Sequence, residues 1–183
     1  QKLNGSYPRG LIILLLPFGI LIAIIILFDD GYPIFFKQNR VGKNNKRFSL
    51  YKFRTMVKNT PNIATDKLNK PNQYYIRTGS LFRKLSIDEL PQLFNILIGD
   101  LCFIGPRAAL YNQYELINKR TQIGISKLMP GITGWAQVNG RDLIDIDTKV
   151  SLDKYYMLNK SLSLNVKIMF WTFIKTIRMD DIK

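Results

Sequence analysis

Leu11-Ile12-Ile13-Leu14-Leu15-Leu16-Pro17-Phe18-Gly19-Ile20-Leu21-Ile22-Ala23-Ile24-Ile25-Ile26-Leu27-Phe28 is an uncharged apolar run of 18 residues, closed by Asp29-Asp30. At about 1.5 Å per residue a straight helix of that length reaches about 27 Å, slightly under a hydrocarbon core of roughly 30 Å. Pro17 and Gly19 interrupt the run, and Pro17 removes one backbone bond and favours a kink. The run reads as a signal peptide, a spanning helix, a buried core helix, or a broken helix that enters and leaves on one face. A signal peptide lacks its small-residue cleavage site here. The flanks favour the re-entrant reading. Lys2 and Arg9 precede the run, and Lys37, Arg40, Lys43, Lys46, Arg47, Lys52, Arg54 and Lys58 follow with no acid among them. Cations on both sides place both ends on the cytoplasmic face.

The whole chain repeats this bias. Its 183 residues carry 27 Lys and Arg against 13 Asp and Glu, a formal charge of +14, which implies an anionic partner. There is no His, which removes the commonest general base and metal ligand, and the lone Cys102 rules out an intrachain disulfide. Catalysis therefore falls to Asp, Glu, Lys, Arg, Tyr or Ser, and a metal should be a hard ion held by oxygen.

Scarce acids make Asp88-Glu89 stand out, in Arg83-Lys84-Leu85-Ser86-Ile87-Asp88-Glu89-Leu90-Pro91-Gln92. Apolar spacing at Leu90, Leu93, Phe94 and Leu97 predicts a helix over about Ser86 to Ile98, with Gly99 as its C-terminal cap. Ser86 with Glu89 matches a capping box; with Asp88 as the cap instead, Pro91 falls in the first turn. The plain reading is that these acids only cap a helix. The functional one is a nucleophilic carboxylate that attacks a phosphoryl group, with Arg83, Lys84 and Arg107 shielding the phosphate charge. Gly105-Pro106-Arg107 sets an Arg on a rigid turn. Residues 130–141, from Pro130 to Arg141, hold three glycines, Trp135 and a terminal Arg. They read as a Gly-rich loop near a nucleotide, or as an ordinary turn before a strand.

Elsewhere, Tyr32 to Phe36 and Phe48 to Phe53 read as two strands joined by a turn at Gly42–Lys46. Lys58 to Gly79 reads as a long surface loop or lid. Helices are expected over Leu110 to Lys119, about Asp147 to Asn159, and Leu164 to Met179. The last is amphipathic through Ile168, Trp171, Ile174, Met169 and Phe173, and suits either a membrane interface or a core.

Lys52-Phe53-Arg54-Thr55-Met56, Ser86 to Gln92, Gly105-Pro106-Arg107, Pro130 to Arg141, and Asp153-Lys154-Tyr155-Tyr156 stand in one order. In that order they resemble the monotopic phosphoglycosyl transferases, the bacterial sugar transferase family that starts lipid-linked glycan assembly. Ala109 to Leu116 resembles capsule-type members. The resemblance implies an α/β, mixed and helix-rich, membrane-associated fold with amphipathic interfacial helices. It divides the chain into a re-entrant membrane helix over 1–30 and a cytoplasmic-face catalytic domain over 31–183, monotopic in a bacterial inner membrane.

The resemblance further implies Mg²⁺ held by Asp88 and Glu89, and two steps. Asp88 attacks the β-phosphate of a UDP-sugar and UMP leaves; polyprenyl (undecaprenyl) phosphate then takes the phosphosugar from Asp88. Glu89 is the dyad partner. Arg107 and Arg141 are implied phosphate or nucleotide contacts, with Lys52 and Arg83 as weaker candidates and Asp153 orienting the basic site or lying on a helix surface. The usual Gly-Pro-Arg-Pro reads Gly-Pro-Arg-Ala108, which keeps the Arg and loosens the turn.

Membrane lipid is an expected partner, a homodimer is compatible with the sequence, and no nucleic acid is expected. The rival from another class is a basic nucleic-acid-binding module, for which Gly131-x-x-Gly134 resembles a KH-type loop. An inactive membrane-anchored scaffold is the third reading, and it would not need the Asp88-Glu89 pair.

Overall fold

The computed structural model describes residues 6–61, 70–140 and 144–178. In chain order the elements are α1 (Ser6–Asp30), β1 (Phe35–Val41), β2 (Arg47–Phe53), α2 (Gly79–Lys84), α3 (Gln92–Ile98), β3 (Cys102–Ile104), β4 (Ala109–Leu110), α4 (Tyr114–Ile123), β5 (Gly131–Thr133), α5 (Trp135–Val138), α6 (Ile146–Asn159) and α7 (Leu162–Arg178). This is the expected mixed, helix-rich α/β composition. The chain forms two compact units, one of Gln1–Lys37 with Tyr51–Gly99, the other of Gln38–Leu50 with Asp100–Lys183.

In the first unit α1 runs unbroken through Pro17 for 25 residues, about 37 Å at the usual rise. The expected break at Pro17 does not end the helix, because one missing N–H leaves the bonds on either side intact. Ile22 and Ile26, one turn apart, are buried against Phe53, Ile76 and Phe82. Ile13, Leu14, Leu16, Leu21 and Phe28 are exposed. α1 is the one helix among the described residues long and apolar enough to cross a membrane.

The C-terminus of α1 is clamped. Gly31 adopts φ +69°, where a side chain is unfavourable, and its N–H bonds Leu27 O at 3.0 Å. Arg54, buried just after β2, meets the helix end with its guanidinium. Its Nη2 donates to Asp30 O at 3.0 Å and Gly31 O at 2.6 Å, its Nε to Pro33 O at 2.5 Å, and its Nη1 pairs with the Asp30 carboxylate. The carbonyls that any helix leaves unpaired at its C-terminus thus gain charged donors. Beside them, Asp29 Oδ2 accepts from the N–H and hydroxyl of Thr78, at 2.8 and 2.7 Å, where α2 begins.

In the second unit β1 pairs antiparallel with β4 through Arg40↔Leu110 and Val41↔Ala109, giving the sheet order β2-β1-β4. β3 and β5 pair in parallel through Cys102↔Gly131 and Ile104↔Thr133. One core joins Ala109, Leu116, Ile125 and Val150; a second joins Val138, Tyr156, Leu164 and Ile168. Asp145 caps α6 by accepting the Thr148 N–H at 2.8 Å.

Several boundaries differ from the sequence reading. β1 starts at Phe35 rather than Tyr32, since Pro33 has no N–H to offer a ladder. α4 starts at Tyr114 rather than Leu110, because Ala109-Leu110 are taken by β4 and Leu110 N–H bonds Gln113 Oε1 at 2.8 Å. The Lys58 to Gly79 stretch carries a 3₁₀ turn over Pro71–Tyr74 and a bridge between Met56 and Tyr75, while 62–69 lie outside the described residues. The Gly-rich segment is not one loop. It forms β5 and then α5, the turn-before-strand reading displaced by one step, and it does not join two helices as a KH-type loop does.

α7 is apolar on two sides. Leu164 and Ile168 face the core, whereas Leu162, Val166, Met169, Phe170, Phe173 and Ile177 form an exposed stripe. Met169 and Phe173, expected beside Ile168, therefore face outward.

Removing the clamp should loosen α1 from its unit. Arg54→Gln is expected to cost about 3 kcal/mol, the usual scale for leaving a buried ion-pair partner uncompensated. Urea unfolding of the micelle-bound protein, read at the unfolding midpoint, checks it.

Candidate active site

Asp88 and Glu89 do not start an α-helix. They occupy a 3₁₀ turn, Ile87–Glu89, between α2 and α3. Ser86 turns the chain with a left-handed backbone (φ 54°) and its side chain makes no capping bond, so neither the Ser86–Glu89 capping box nor an Asp88 cap forms. Pro91 is the residue preceding α3, where its missing N–H costs nothing and its fixed φ suits the entry to a helix. Gly99 ends α3 at φ +88°, as expected. The turn draws both acids inward: their side chains are 6% and 10% exposed.

Lys52, on β2, answers both. Its Nζ lies 2.7 Å from Glu89 Oε1 and 3.3 Å from Asp88 Oδ2. Read from sequence as a weaker phosphate contact, Lys52 is here the ammonium shared by the two carboxylates. Burial pushes the Asp88 carboxyl above the usual carboxylate range. The Lys52 charge opposes that shift, the neighbouring Glu89 charge adds to it, and Arg83 opposes it. Arg83 lies with its guanidinium 5.3 Å from the centre of the Tyr75 ring and Nη1 3.8 Å from Met56 Sδ.

The strand under Lys52 is fixed by a residue that periodicity assigned no role. Asn95, fully buried on α3, accepts the Tyr51 N–H through Oδ1 at 3.1 Å. Its signal was an amide among the apolar positions of the predicted helix, a group that burial obliges to find a partner. Phe94, expected in the core with Leu93, is instead half exposed.

The remaining candidates lie in the second unit. The Gly105–Arg107 turn is bonded along its length: Gly105 N–H to Thr133 O at 2.9 Å, Gly131 N–H to Pro106 O at 3.0 Å, and Arg40 Nη1 to Ala108 O at 2.8 Å. Ala108, in place of the usual proline, therefore does not leave the turn slack. Two glycines of the Gly-rich motif serve this contact. A Cβ on Gly131 would sit 2.2 Å from Gly105 N, and one on Gly134 would sit 2.1 Å from Gly105 O.

Asp153 is not a helix-surface acid. It is 1% exposed, and Arg120 donates to its Oδ2 through Nε at 2.9 Å and Nη2 at 2.5 Å. Burial pushes the Asp153 carboxyl up while the Arg120 and Lys149 charges pull it down. Tyr155 stacks on Trp135 with ring centres 5.6 Å apart, and Tyr156 hydroxyl donates to Ile104 O at 3.2 Å. Burial raises the Tyr156 pKa to about 12. Arg141 lies outside the described residues.

Asp88 and Glu89 thus form a buried carboxylate pair around a shared ammonium and do not cap a helix. Comparison with known proteins gives the family. A family model described as bacterial sugar transferase matches residues 9–179. The chain is 44% identical over 171 residues to "Uncharacterized sugar transferase EpsL" of Bacillus subtilis (strain 168), covering 88% of this chain and 82% of that protein. It is 34% identical over 176 residues to "Exopolysaccharide production protein ExoY" of Sinorhizobium fredii, covering 88% of this chain and 77% of the relative. It is 39% identical over 166 residues to the "UDP-N-acetylgalactosamine-undecaprenyl-phosphate N-acetylgalactosaminephosphotransferase" of Aeromonas hydrophila, covering 88% of this chain but 39% of that longer protein. The chain belongs to the bacterial sugar transferase family.

The raised Asp88 pKa fixes the sign of two effects. The folded chain holds the Asp88 proton to higher pH than the unfolded chain does, so ionisation opposes folding, and stability from this group falls as pH rises through the folded value. Asp88→Asn is therefore expected to raise the thermal midpoint at pH 7.5, measured by scanning calorimetry. Lys52→Met removes the charge that holds the Asp88 pKa down. The acid limb of the pH–rate profile should move to higher pH; an unmoved limb would show that Lys52 does not set it.

Proposed function

We propose that the protein transfers a sugar-1-phosphate from a UDP-sugar to a polyprenyl phosphate, with undecaprenyl phosphate as the acceptor, at the first membrane step of polysaccharide assembly. The Asp88–Glu89 pair, buried and bridged by Lys52, carries this reading. An Asp88 oxygen attacks the β-phosphorus of the donor. The new Asp–phosphorus bond forms as the bond from that phosphorus to the bridging oxygen breaks, and UMP leaves. A phosphate oxygen of the polyprenyl acceptor then attacks the same phosphorus, releasing the Asp88 carboxylate and a polyprenyl diphosphate sugar. Burial favours a nucleophile stripped of water, and the Lys52 charge favours its ionised form. Glu89 keeps the ammonium in place and is the base for the acceptor.

The two carboxylates offer hard oxygen donors that fit Mg²⁺. Among the described residues they have no third His, Cys, Asp or Glu beside them, so the remaining ligands would be water and substrate phosphate. Bound there, the ion would neutralise charge on the donor diphosphate. Arg107 and Arg141 serve as donor phosphate or nucleotide contacts.

The relatives' names support the substrates. Besides the Aeromonas protein, the chain is 35% identical over 171 residues to "UDP-glucose:undecaprenyl-phosphate glucose-1-phosphate transferase" of Xanthomonas campestris pv. campestris, covering 88% of this chain and 35% of that longer protein. α1 and the exposed stripe of α7 support membrane association. In this reading α7 lies in the interface, and α1 enters and leaves on the cytoplasmic face, bending at Pro17.

Intact-mass spectrometry after incubation with UDP-sugars and Mg²⁺, without acceptor, tests the covalent step. An adduct of one phosphosugar is expected on the wild type and none on Asp88→Asn. Turnover with acceptor and no adduct under any quench would replace the two-step path by direct transfer.

A further inference from the structure

Arg120 has no place in the chemistry above, yet it is among the most constrained side chains of the second unit. It sits on α4, 7% exposed, with Nε and Nη2 on Asp153 of α6 and Nη1 donating to the main-chain oxygen of Arg107 at 2.8 Å. One planar guanidinium thus joins two helices to the peptide that carries Arg107. From the other side that peptide is held by β5, through the Arg107↔Gly131 bridge and the Gly131–Pro106 bond. A buried ion pair is a poor source of stability, because desolvating two charges offsets their attraction, and apolar side chains of similar volume serve a core as well or better. The third bond, to a carbonyl in the turn, is something an apolar replacement cannot supply.

We infer that Arg120, locked by Asp153, is a positioning residue that fixes the Arg107 peptide and so aims the Arg107 side chain at the donor diphosphate. This rests on the reading of Arg107 as a phosphate contact. Arg120 itself touches no substrate. The fork geometry of arginine is what the arrangement uses: two donors hold the carboxylate while a third reaches the carbonyl. A lysine ammonium on its flexible stem does not reproduce that fixed fork.

The test is a double-mutant cycle read by binding of UDP to the full-length protein in detergent micelles, by calorimetry at fixed Mg²⁺. R120M/D153L removes both charges together and keeps the volume apolar, so the core folds and only the carbonyl anchor is lost. The expected result is UDP binding about 10-fold weaker for R120M/D153L, from loss of orientation at one charged contact. R107Q is expected to be weakened at least as much, and R107Q with R120M/D153L no weaker than R107Q alone. kcat/KM for the polyprenyl acceptor should not move in R120M/D153L, which a general loosening of the fold would not spare. If that variant does not fold, Arg120→Lys provides the same comparison with Asp153 still paired.

Wild-type UDP affinity in the anchor variant beside a weakened R107Q overturns this inference alone. So does multiplication of the two effects in the combined variant. Wild-type affinity in R107Q overturns the inference together with the phosphate reading of Arg107.

Discussion

Two carboxylates buried side by side repel each other and lose their hydration, so the fold must bring them a cation or keep them neutral. Lys52 is that cation, and much of the first unit can be read as the means of holding it there. The ammonium sits on a strand, and strands are positioned by their neighbours. Asn95 takes the Tyr51 N–H just before Lys52, and Arg54 ties the chain just after it to the end of α1. Asn95 belongs to the helix that follows the two acids, so one short segment supplies both the carboxylates and the clamp on their partner. The raised Asp88 pKa is the residue of this contest, with burial exceeding what the nearby cations return. A carboxylate kept buried at some cost to folding is what the proposed role of Asp88 calls for.

The order of the elements was legible because periodicity and turn chemistry are local. The apolar run, the two strands around Gly42, the helix ended by Gly99 and the helix capped by Asp145 all follow from neighbours within a few residues. The carboxylate pair stood out as a candidate because acids are rare in this chain, and the structure shows it buried around Lys52. What failed was the local geometry at Ser86, where a capping pattern was overridden by a left-handed backbone and by Pro91. A capping box needs Ser86 in an extended conformation; the turn that buries Asp88 and Glu89 denies it one.

Long-range pairing was not legible at all. Arg54 and Asp30 are 24 positions apart, and Arg120 and Asp153 are 33 apart. No period links them, and both arginines lie in stretches where a cation reads as a solvated surface charge. The Gly-rich motif misled for a related reason. Its glycines look like a cradle for a ligand, but the atoms that would clash with a Cβ at Gly131 and Gly134 include the backbone of Gly105. Sequence shows that a position tolerates only glycine more readily than it shows what approaches it.

The distribution of charge follows from these constraints. With 27 basic residues and 13 acidic ones, the chain carries more cations than its acids can match one to one, a surplus suited to an anionic surface or substrate. Six of the acids go where position matters. Asp29 and Asp30 fix the end of α1, Asp145 starts α6, Asp88 and Glu89 share Lys52, and Asp153 anchors Arg120. Of the cations, Arg54 and Arg120 are buried, and each also donates to main-chain carbonyls that a surface lysine would leave to water. That shared habit separates buried cations from ornamental ion pairs. A charge kept inside only for stability could be exchanged for a well-packed hydrophobe, whereas one that holds a specific peptide oxygen cannot. In both units the buried arginine is spent on the backbone, and the geometry of neighbouring side chains follows from where that backbone is held.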